Sequence, residues 1–343
     1  MPRFFKIIGT GGIGSGVVYR LTRNRDLGRN ESRPAHRLDL RDYCKQHIIL
    51  HYLAVLTRDL GLPIEVVPVG AVGDDEAGRR LLAEMEEAGM ALRQVRRLPR
   101  APTLFSLCWQ FPDGTGGNLT ESKSASARVT PRWIESVAPE FPTQGRCMVL
   151  AAPEVPLAAR AKLLEIGRRH RAFAAAAFVS EEMREVRRRG LLRKIDLLSM
   201  NIDEAAALAS VGPEGGLKTV AEACVKVVRR ANPDIRIAVT AGREGAFVFH
   251  AGRSAVLPVF DVKVRNTAGA GDAFLSGLML GEVLGLPFVS KSNRSCAHLG
   301  RALASMSVLS PHTIHFGIDS GTFADFLRQH GEPALAGVLT SKA

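Results

Sequence analysis

The sequence predicts an α/β protein built on a mostly parallel sheet covered by helices. Three observations carry this. From residue 147 onward, short apolar runs alternate with segments of helical period. Before that, the helical segments 47–60 and 76–88 stop at Gly61 and Gly89. The 343 residues are 46% hydrophobic and 23% charged, the composition of a globular chain with a sizeable core. That length could hold two average domains, but a single α/β domain over 1–343 with a small appendage is the expectation.

Each element has a local reason. The apolar run 4–8 reads as a buried strand entering a glycine turn, and 20–46, polar and Arg-rich without a clear period, reads as a loop or lid. In 47–60 the positions Ile48, Ile49, Tyr52, Leu53, Val55 and Leu56 recur near the helical period until Gly61 and Pro63 stop them. A strand over 64–69 follows. Residues 76–88 are helical and end at Gly89, 103–110 is extended, 112–117 is a turn, and 114–126 is a mobile or hairpin segment. The order then expected is strand 148–152, helix 157–170, strand 172–179, helix 181–192, strand 195–199, helix 203–210, helix 217–231 and strand 235–240. A hairpin of 245–250 with 254–259 precedes a glycine motif at 269–271, which opens a long helix through 284. In an open α/β sheet, sites gather at the carboxyl ends of the strands.

Composition narrows the function classes. The five cysteines are scattered and form no Cys-x-x-Cys pair, so neither a disulfide framework nor a zinc site is expected. That points to a reducing, cytoplasmic setting. The N-terminal run is too short for a signal-peptide core and nothing approaches roughly 18 uninterrupted apolar residues, so no membrane association is expected. A formal charge of +12 favours an anionic partner without choosing among nucleotide phosphates, a phosphorylated substrate and nucleic acid. The excess is largely arginine in short clusters (Arg96 and Arg97; Arg168 and Arg169; Arg187, Arg188 and Arg189), with three Tyr and two Trp to stack bases. This reads as solvated helix faces, not a nucleic-acid track.

The most specific string is Asn266-Thr267-Ala268-Gly269-Ala270-Gly271-Asp272, ahead of a helical run. At a helix N-terminus unpaired N–H groups and the dipole favour negative charge, so Gly269, Ala270 and Gly271 form a candidate anion hole with Asp272 beside it. The tetrapeptide 269–272 alone equally describes a helix cap. Asn201 and Glu204 likewise make a capping pair, and Gly242 and Gly245 a tight turn after Thr240.

Together these strings resemble the ribokinase-like (PfkB) carbohydrate kinase family. Residues 266–272 resemble its Asp-Thr-x-Gly-Ala-Gly-Asp signature. Asn201-Ile202-Asp203-Glu204 is similar to its Asn-x-x-Glu element, 239–246 to its nucleotide-binding strand end, and Val72-Gly73-Asp74-Asp75-Glu76-Ala77-Gly78 to its Val-Gly-Asp-Asp-x-x-Gly element. The resemblance spans roughly 66–310. It implies a three-layer αβα fold with a small β lid, here within 12–46 and 101–128. It implies ATP-dependent phosphorylation of a hydroxyl on a sugar or related small molecule, with Asp272 as base. Asn201, Glu204, Thr240, Gly242 and Gly245 would then bind nucleotide, Glu204 would hold Mg2+ through water, and the lid could serve as a homodimer contact.

The sequence also departs from the family. Asn266 stands where the signature begins with Asp, a residue of the monovalent-cation site, so no monovalent-cation requirement carries over. Gly14 stands where a sugar-gripping Asp is expected; His47, Ile48 and Tyr52 fall where the Gly-Gly-x-x-x-Asn element would; and 173–181 lacks Asp-x-Asn-x-Arg. Acceptor recognition is expected instead from Gly12, Asp39, Asp42, His47 and His51, or from the arginines of 20–41, which suit a phosphorylated or carboxylated acceptor. His47 and His51 lie one helical turn apart, but without a third ligand helix packing is the simpler reading and no transition metal is expected.

Two rival readings remain. Gly9-Thr10-Gly11-Gly12-Ile13-Gly14 after a strand fits the dinucleotide fingerprint of an NAD-dependent oxidoreductase. That fingerprint needs a following helix and a second strand, and 20–37 shows no apolar strand run. The second rival is a non-catalytic ligand sensor on the same fold, against which the retained Asp272 and Glu204 argue. No Gly-x4-Gly-Lys-Ser/Thr string is present, which excludes a P-loop mechanism.

Overall fold

The computed structural model describes residues 4–113, 115–143 and 146–340. In chain order its strands are β1 (Lys6–Thr10), β2 (Gly14–Leu21), β3 (Ala35–Arg37), β4 (Asp42–Tyr43), β5 (Glu65–Gly73), β6 (Val95–Leu98), β7 (Leu104–Gln110), β8 (Gly116–Thr120), β9 (Cys147–Ala151), β10 (Phe173–Ala176), β11 (Leu197–Asn201), β12 (Arg236–Thr240), β13 (Ala246–His250) and β14 (Arg253–Leu257). The helices are α1 (Lys45–Asp59), α2 (Glu76–Glu87), α3 (Pro131–Glu135), α4 (Leu157–Arg169), α5 (Met183–Arg188), α6 (Ile202–Ala209), α7 (Gly216–Ala231), α8 (Ala270–Val283), α9 (Cys296–Ser307), α10 (Ser320–Gln329) and α11 (Pro333–Thr340).

Nine strands form the main sheet in the order β14-β13-β12-β11-β10-β9-β1-β5-β6. All neighbours from β12 to β6 run parallel, and β13 and β14 close one edge as an antiparallel hairpin. Alternation along the strands sorts the core into two layers. Ile7, Met148 and Leu150 pack with α1, α2, α8, α9, α10 and α11, while Ile8, Val149 and Ala151 pack with α3, α4, α5, α6 and α7. The result is the αβα sandwich. A second sheet, β3-β2-β7-β8 with β4 beside β2, lies apart from it.

The glycine string at 9–14 leads into strand β2, not a helix. A dinucleotide fingerprint needs a helix N-terminus there for the pyrophosphate, so the oxidoreductase reading loses its structural basis. The expected loop 20–46 contains β3 and β4. Within 114–126, β8 pairs antiparallel with β7, as a hairpin; Gly114 lies outside the described residues. The expected helix 181–192 divides because Gly190 takes φ +63, which ends α5 one turn earlier than the apolar pattern suggests. The expected strand 172–179 shortens to β10. Among the described residues no helix is long and apolar enough to cross a membrane.

The two glycines Gly277 and Gly300 set the closest helix contact. A Cβ on Gly277 would stand 2.6 Å from the Gly300 Cα, so α8 and α9 pack backbone to backbone. This anchors α8, whose first turn faces the site.

Candidate active site

A cavity of about 500 Å³ opens at the carboxyl ends of β11 and β12, under the first turn of α8. Asn201 and Thr240, the last residues of those strands, line it with Lys45, Glu204, Gly242 and Asp272. Adjacent parallel strands ending together leave such a crevice, which is why residues far apart in sequence meet there.

Asp272 stands in the first turn of α8. Gly269 caps that helix with φ +81, and a Cβ there would lie 2.5 Å from the Thr313 carbonyl oxygen, so only glycine fits. The N–H of Ala270 turns back to the Thr267 carbonyl at 3.2 Å. Among the described residues no backbone carbonyl accepts from the N–H of Gly271 or Asp272. Of the expected 269–271 set, the Gly269 and Gly271 N–H groups thus stay without a backbone acceptor, that of Ala270 is used within the turn, and that of Asp272 joins the free ones. A Cβ on Gly271 would touch only Thr240 Oγ1, at 3.8 Å, which leaves the approach to these amides open. Asn266 holds the preceding loop, donating to the Pro311 carbonyl at 2.9 Å and accepting from the Ala268 N–H at 3.0 Å.

Asn201 and Glu204 form a reciprocal capping box, each side chain accepting the other's N–H at 2.8 Å. The capping role read from the sequence is thus real. It engages one carboxylate oxygen of Glu204 and leaves Oε1 facing Lys45 Nζ at 4.0 Å. Gly242 and Gly245 both take positive φ, and a Cβ on Gly245 would stand 2.1 Å from the Leu257 carbonyl oxygen. The turn after Thr240 therefore brings the backbone of Gly242 and Gly245 to the cavity wall, beside Arg243.

Lys45, in the first turn of α1, is the residue that sequence reading missed. It sits at the end of the Arg-rich stretch, two residues before the apolar period begins, and nothing local distinguishes it from its neighbours. Asp272 above all, with Glu204 and Glu154 behind it, holds its ammonium above the ordinary value. Burial pushes the Asp272 carboxyl upward and Lys45 opposes that shift. Burial also raises Glu204, again against Lys45.

Glu154 follows β9 with φ +74, a left-handed conformation that costs a non-glycine residue on the order of 1 kcal/mol or more. Its Oε2 accepts from the Lys45 N–H at 3.3 Å, and burial pushes its carboxyl up to about 7. Gly12 faces it: a Cβ there would lie 2.5 Å from the Glu154 Cβ and 2.8 Å from Oε2. Asp42, on β4, is raised by burial and, among other groups, by Asp272.

None of the residues expected to recognise the acceptor, Gly12 and Asp42 included, lines this cavity. Asp39 is exposed on the turn between β3 and β4. His47 and His51 are buried, 0% and 5% exposed, because residues 46–57 of α1 are covered on every side. The helix expected over 47–60 is a core helix, and its histidines pack edge-on against Tyr43, Tyr52 and Phe316. Burial drops them to about 3 and about 4, so both are neutral. The arginines of 20–41 also stay away: Arg25 and Arg33 pair with Glu31, Arg20 donates to Gln110 and Arg41 pairs with Glu84.

The far end of the cavity is apolar, lined by Val259, Phe260, Val262, Val264 and Val308. The Arg301 guanidinium lies 4.1 Å over the Phe260 ring and is paired with Glu332. A flat heterocycle fits such a wall.

Residues 53–319 match the pattern described as pfkB family carbohydrate kinase. The chain belongs to that family. It is a sugar-type kinase, and kinases of the pfkB family use ATP with Mg2+. Solved structures agree on the fold. A ribokinase from Giardia lamblia superposes with a TM-score of 0.74 at 16% identity, over 93% of this chain and 99% of that one. A ribokinase from Cryptococcus neoformans in complex with ADP gives 0.72 at 16%, over 93% and 99%. A nucleoside kinase from Burkholderia thailandensis in complex with inosine gives 0.70 at 15%, over 95% and 98%.

Proposed function

We propose that this protein transfers the γ-phosphoryl group of ATP to a hydroxyl of a small polyol, with Asp272 as the general base. The observation that carries this is the position of Asp272. Its half-buried carboxylate lines the cavity, on the same helix turn as two amides without a backbone acceptor, with Lys45 as counter-charge.

The apolar wall around Phe260 suits the base, and the Gly271 and Asp272 amides suit the transferring phosphoryl. Asp272 takes the proton of the acceptor hydroxyl as its oxygen bonds to the γ-phosphorus; the bond from that phosphorus to the bridging oxygen breaks and ADP leaves. Lys45 acts twice: it favours the ionised form of Asp272 before transfer, and it offsets phosphate charge during it. Mg2+, when bound, neutralises phosphate charge. Glu204 Oε1, the oxygen outside the capping box, would hold it through water, and burial of that carboxylate favours a cation beside it.

The test is ADP release with Mg2+ across a panel of polyols, sugars and nucleosides, comparing wild type with Asp272→Asn. Turnover lost in the variant supports the reading. Equal turnover in both removes Asp272 as base.

We also read the small sheet as a lid and its outer face as a homodimer contact. Phe105, Leu107 and Leu119 point to that face and are 45%, 38% and 65% exposed. A paired apolar face of this kind on one sheet is more than scattered surface hydrophobics.

A further inference from the structure

In a parallel sheet each connecting helix runs back against its strands. The last turns of α4, α5 and α7 therefore gather at the amino ends of β10, β11 and β12, the end of the sheet opposite the cavity. The turn Leu191–Lys194 packs against all three helices. Arg168 donates to the Arg193 carbonyl at 3.1 Å, and the Asn232 side chain to the Ile195 carbonyl at 2.7 Å. Arginine clusters distant in sequence thus share one surface. Arg168, Arg169 and Arg171, then Arg187, Arg188 and Arg189, and then Arg193, Arg229 and Arg230 are all exposed there.

A cation in the last turn complements a helix dipole, and one at each helix end is enough for that. Several of these cations are matched. Arg168 pairs with Asp196, Arg169 with Glu135, and Arg188 and Arg189 share Glu185. Arg187 donates to the Leu208 carbonyl at 3.3 Å. Arg171, Arg193, Lys194, Arg229 and Arg230 are left over, with no ion pair or side-chain hydrogen bond among the described residues. Arg229 lies 5.4 Å over the Phe249 ring, and Asp234, exposed in the turn between α7 and β12, offsets one of the five. The surplus is local. At the same end of the sheet, beneath β1 and β5, Lys6 and Arg93 are matched by Glu65 and Glu140.

We propose that this face binds the phosphate backbone of duplex nucleic acid without reading its sequence, an activity separate from phosphoryl transfer. Guanidinium forks match phosphate oxygens, and all but Lys194 of the surplus cations are arginine. Packed helices lie about 8–10 Å apart, so three adjoining ends span roughly 20 Å. Over that length a duplex presents about twelve phosphates, one per ~1.7 Å of axis, more than the surplus can meet. The segments 168–171, 187–194 and 229–236 hold no Phe, Tyr or Trp to stack unpaired bases, which favours a duplex over a single strand. Nor do they expose a large hydrophobic side chain, the anchor that a membrane-binding face carries beside its cations.

The experiment is fluorescence anisotropy of a labelled DNA duplex of about 20 base pairs, titrated with the full chain from about 50 to 200 mM KCl. Five phosphate contacts predict that log K falls with log salt at a slope of about −4 to −5. Arg193→Gln combined with Arg230→Gln is expected to make the slope shallower by about 2 and to weaken binding at least about tenfold near 0.1 M salt. Arg79→Gln combined with Arg80→Gln makes the same change of charge on α2, in the other helix layer, and is expected to leave both unchanged. All four positions are exposed, and both double variants are expected to keep the wild-type Tm. Equal weakening by the two pairs would make binding a matter of net charge and overturn the proposal, as would no binding near 0.1 M salt. Displacement by polyglutamate as effective as by unlabelled duplex would assign the face to an acidic protein and overturn it too. Failure of the kinase reading leaves this result untouched, because the binding uses no residue of the cavity.

Discussion

Lys45 Nζ lies 4.0 Å from Glu204 Oε1, tying the first turn of α1 to the capping box of α6 across the mouth of the site. Through this contact and its field on Asp272 and Glu154, one cation serves three carboxylates.

Replacing that cation tests its two tasks separately. Lys45→Met is expected to lower kcat by roughly a hundredfold or more, the usual effect of losing one preorganised charge donor. It is also expected to move the pH profile. Asp272 works ionised, so the rate rises with pH through its titration. Lys45 opposes the upward push of burial, and without it the rising limb shifts to higher pH. A kcat loss with no shift of that limb would limit Lys45 to binding phosphate.

Asp272→Asn keeps the shape of the residue and removes its basicity. The chemical rate is expected to fall by roughly two to four orders of magnitude. Nucleotide affinity, followed with a fluorescent ATP analogue, is expected to stay within a few-fold. Loss of both together would point to a damaged helix start.

Gly12 makes room for Glu154. Gly12→Ala places a methyl 2.5 Å from the Glu154 Cβ, where both groups belong to constrained loops. The KM for the acceptor is expected to rise at least about tenfold, with the KM for ATP unchanged, because the amides and the apolar wall lie elsewhere.

His47 and His51 predict acid lability. Their folded values, about 3 and about 4, lie below the ordinary 6.5. As pH falls the unfolded chain takes up these protons first, so stability is complete above about 6.5 and is lost progressively toward about 3. The Tm is expected to drop by at least about 5 °C between pH 7 and pH 4. His47→Leu should flatten that slope; an equally steep slope would assign the lability to other groups.

The outer face of the small sheet predicts assembly. Light scattering of the wild type is expected to give a dimer, and Leu119→Glu, at the most exposed apolar position of that face, is expected to shift it toward monomer. A wild-type monomer at micromolar concentration would end this reading.

Much of the architecture follows from local chemistry. Glycine stops, strand-length apolar runs and the string 266–272 are short-range signals, and they are enough to predict the sheet and the α8 start. The capping of α6 by Asn201 is equally local. What the sequence could not supply were facts about coverage and convergence. Whether α1 is half-covered or wholly buried depends on what packs on its second side, so His47 and His51 changed from recognition residues to core. Lys45, Asp42 and Glu154 come from three separate elements, and only the parallel order of β9, β1 and β5 with the small sheet beside them sets these charges around Asp272. Single residues determine conformation over a few positions. The electrostatics of a site depends on distances across the whole fold, and those exist only once the chain has packed.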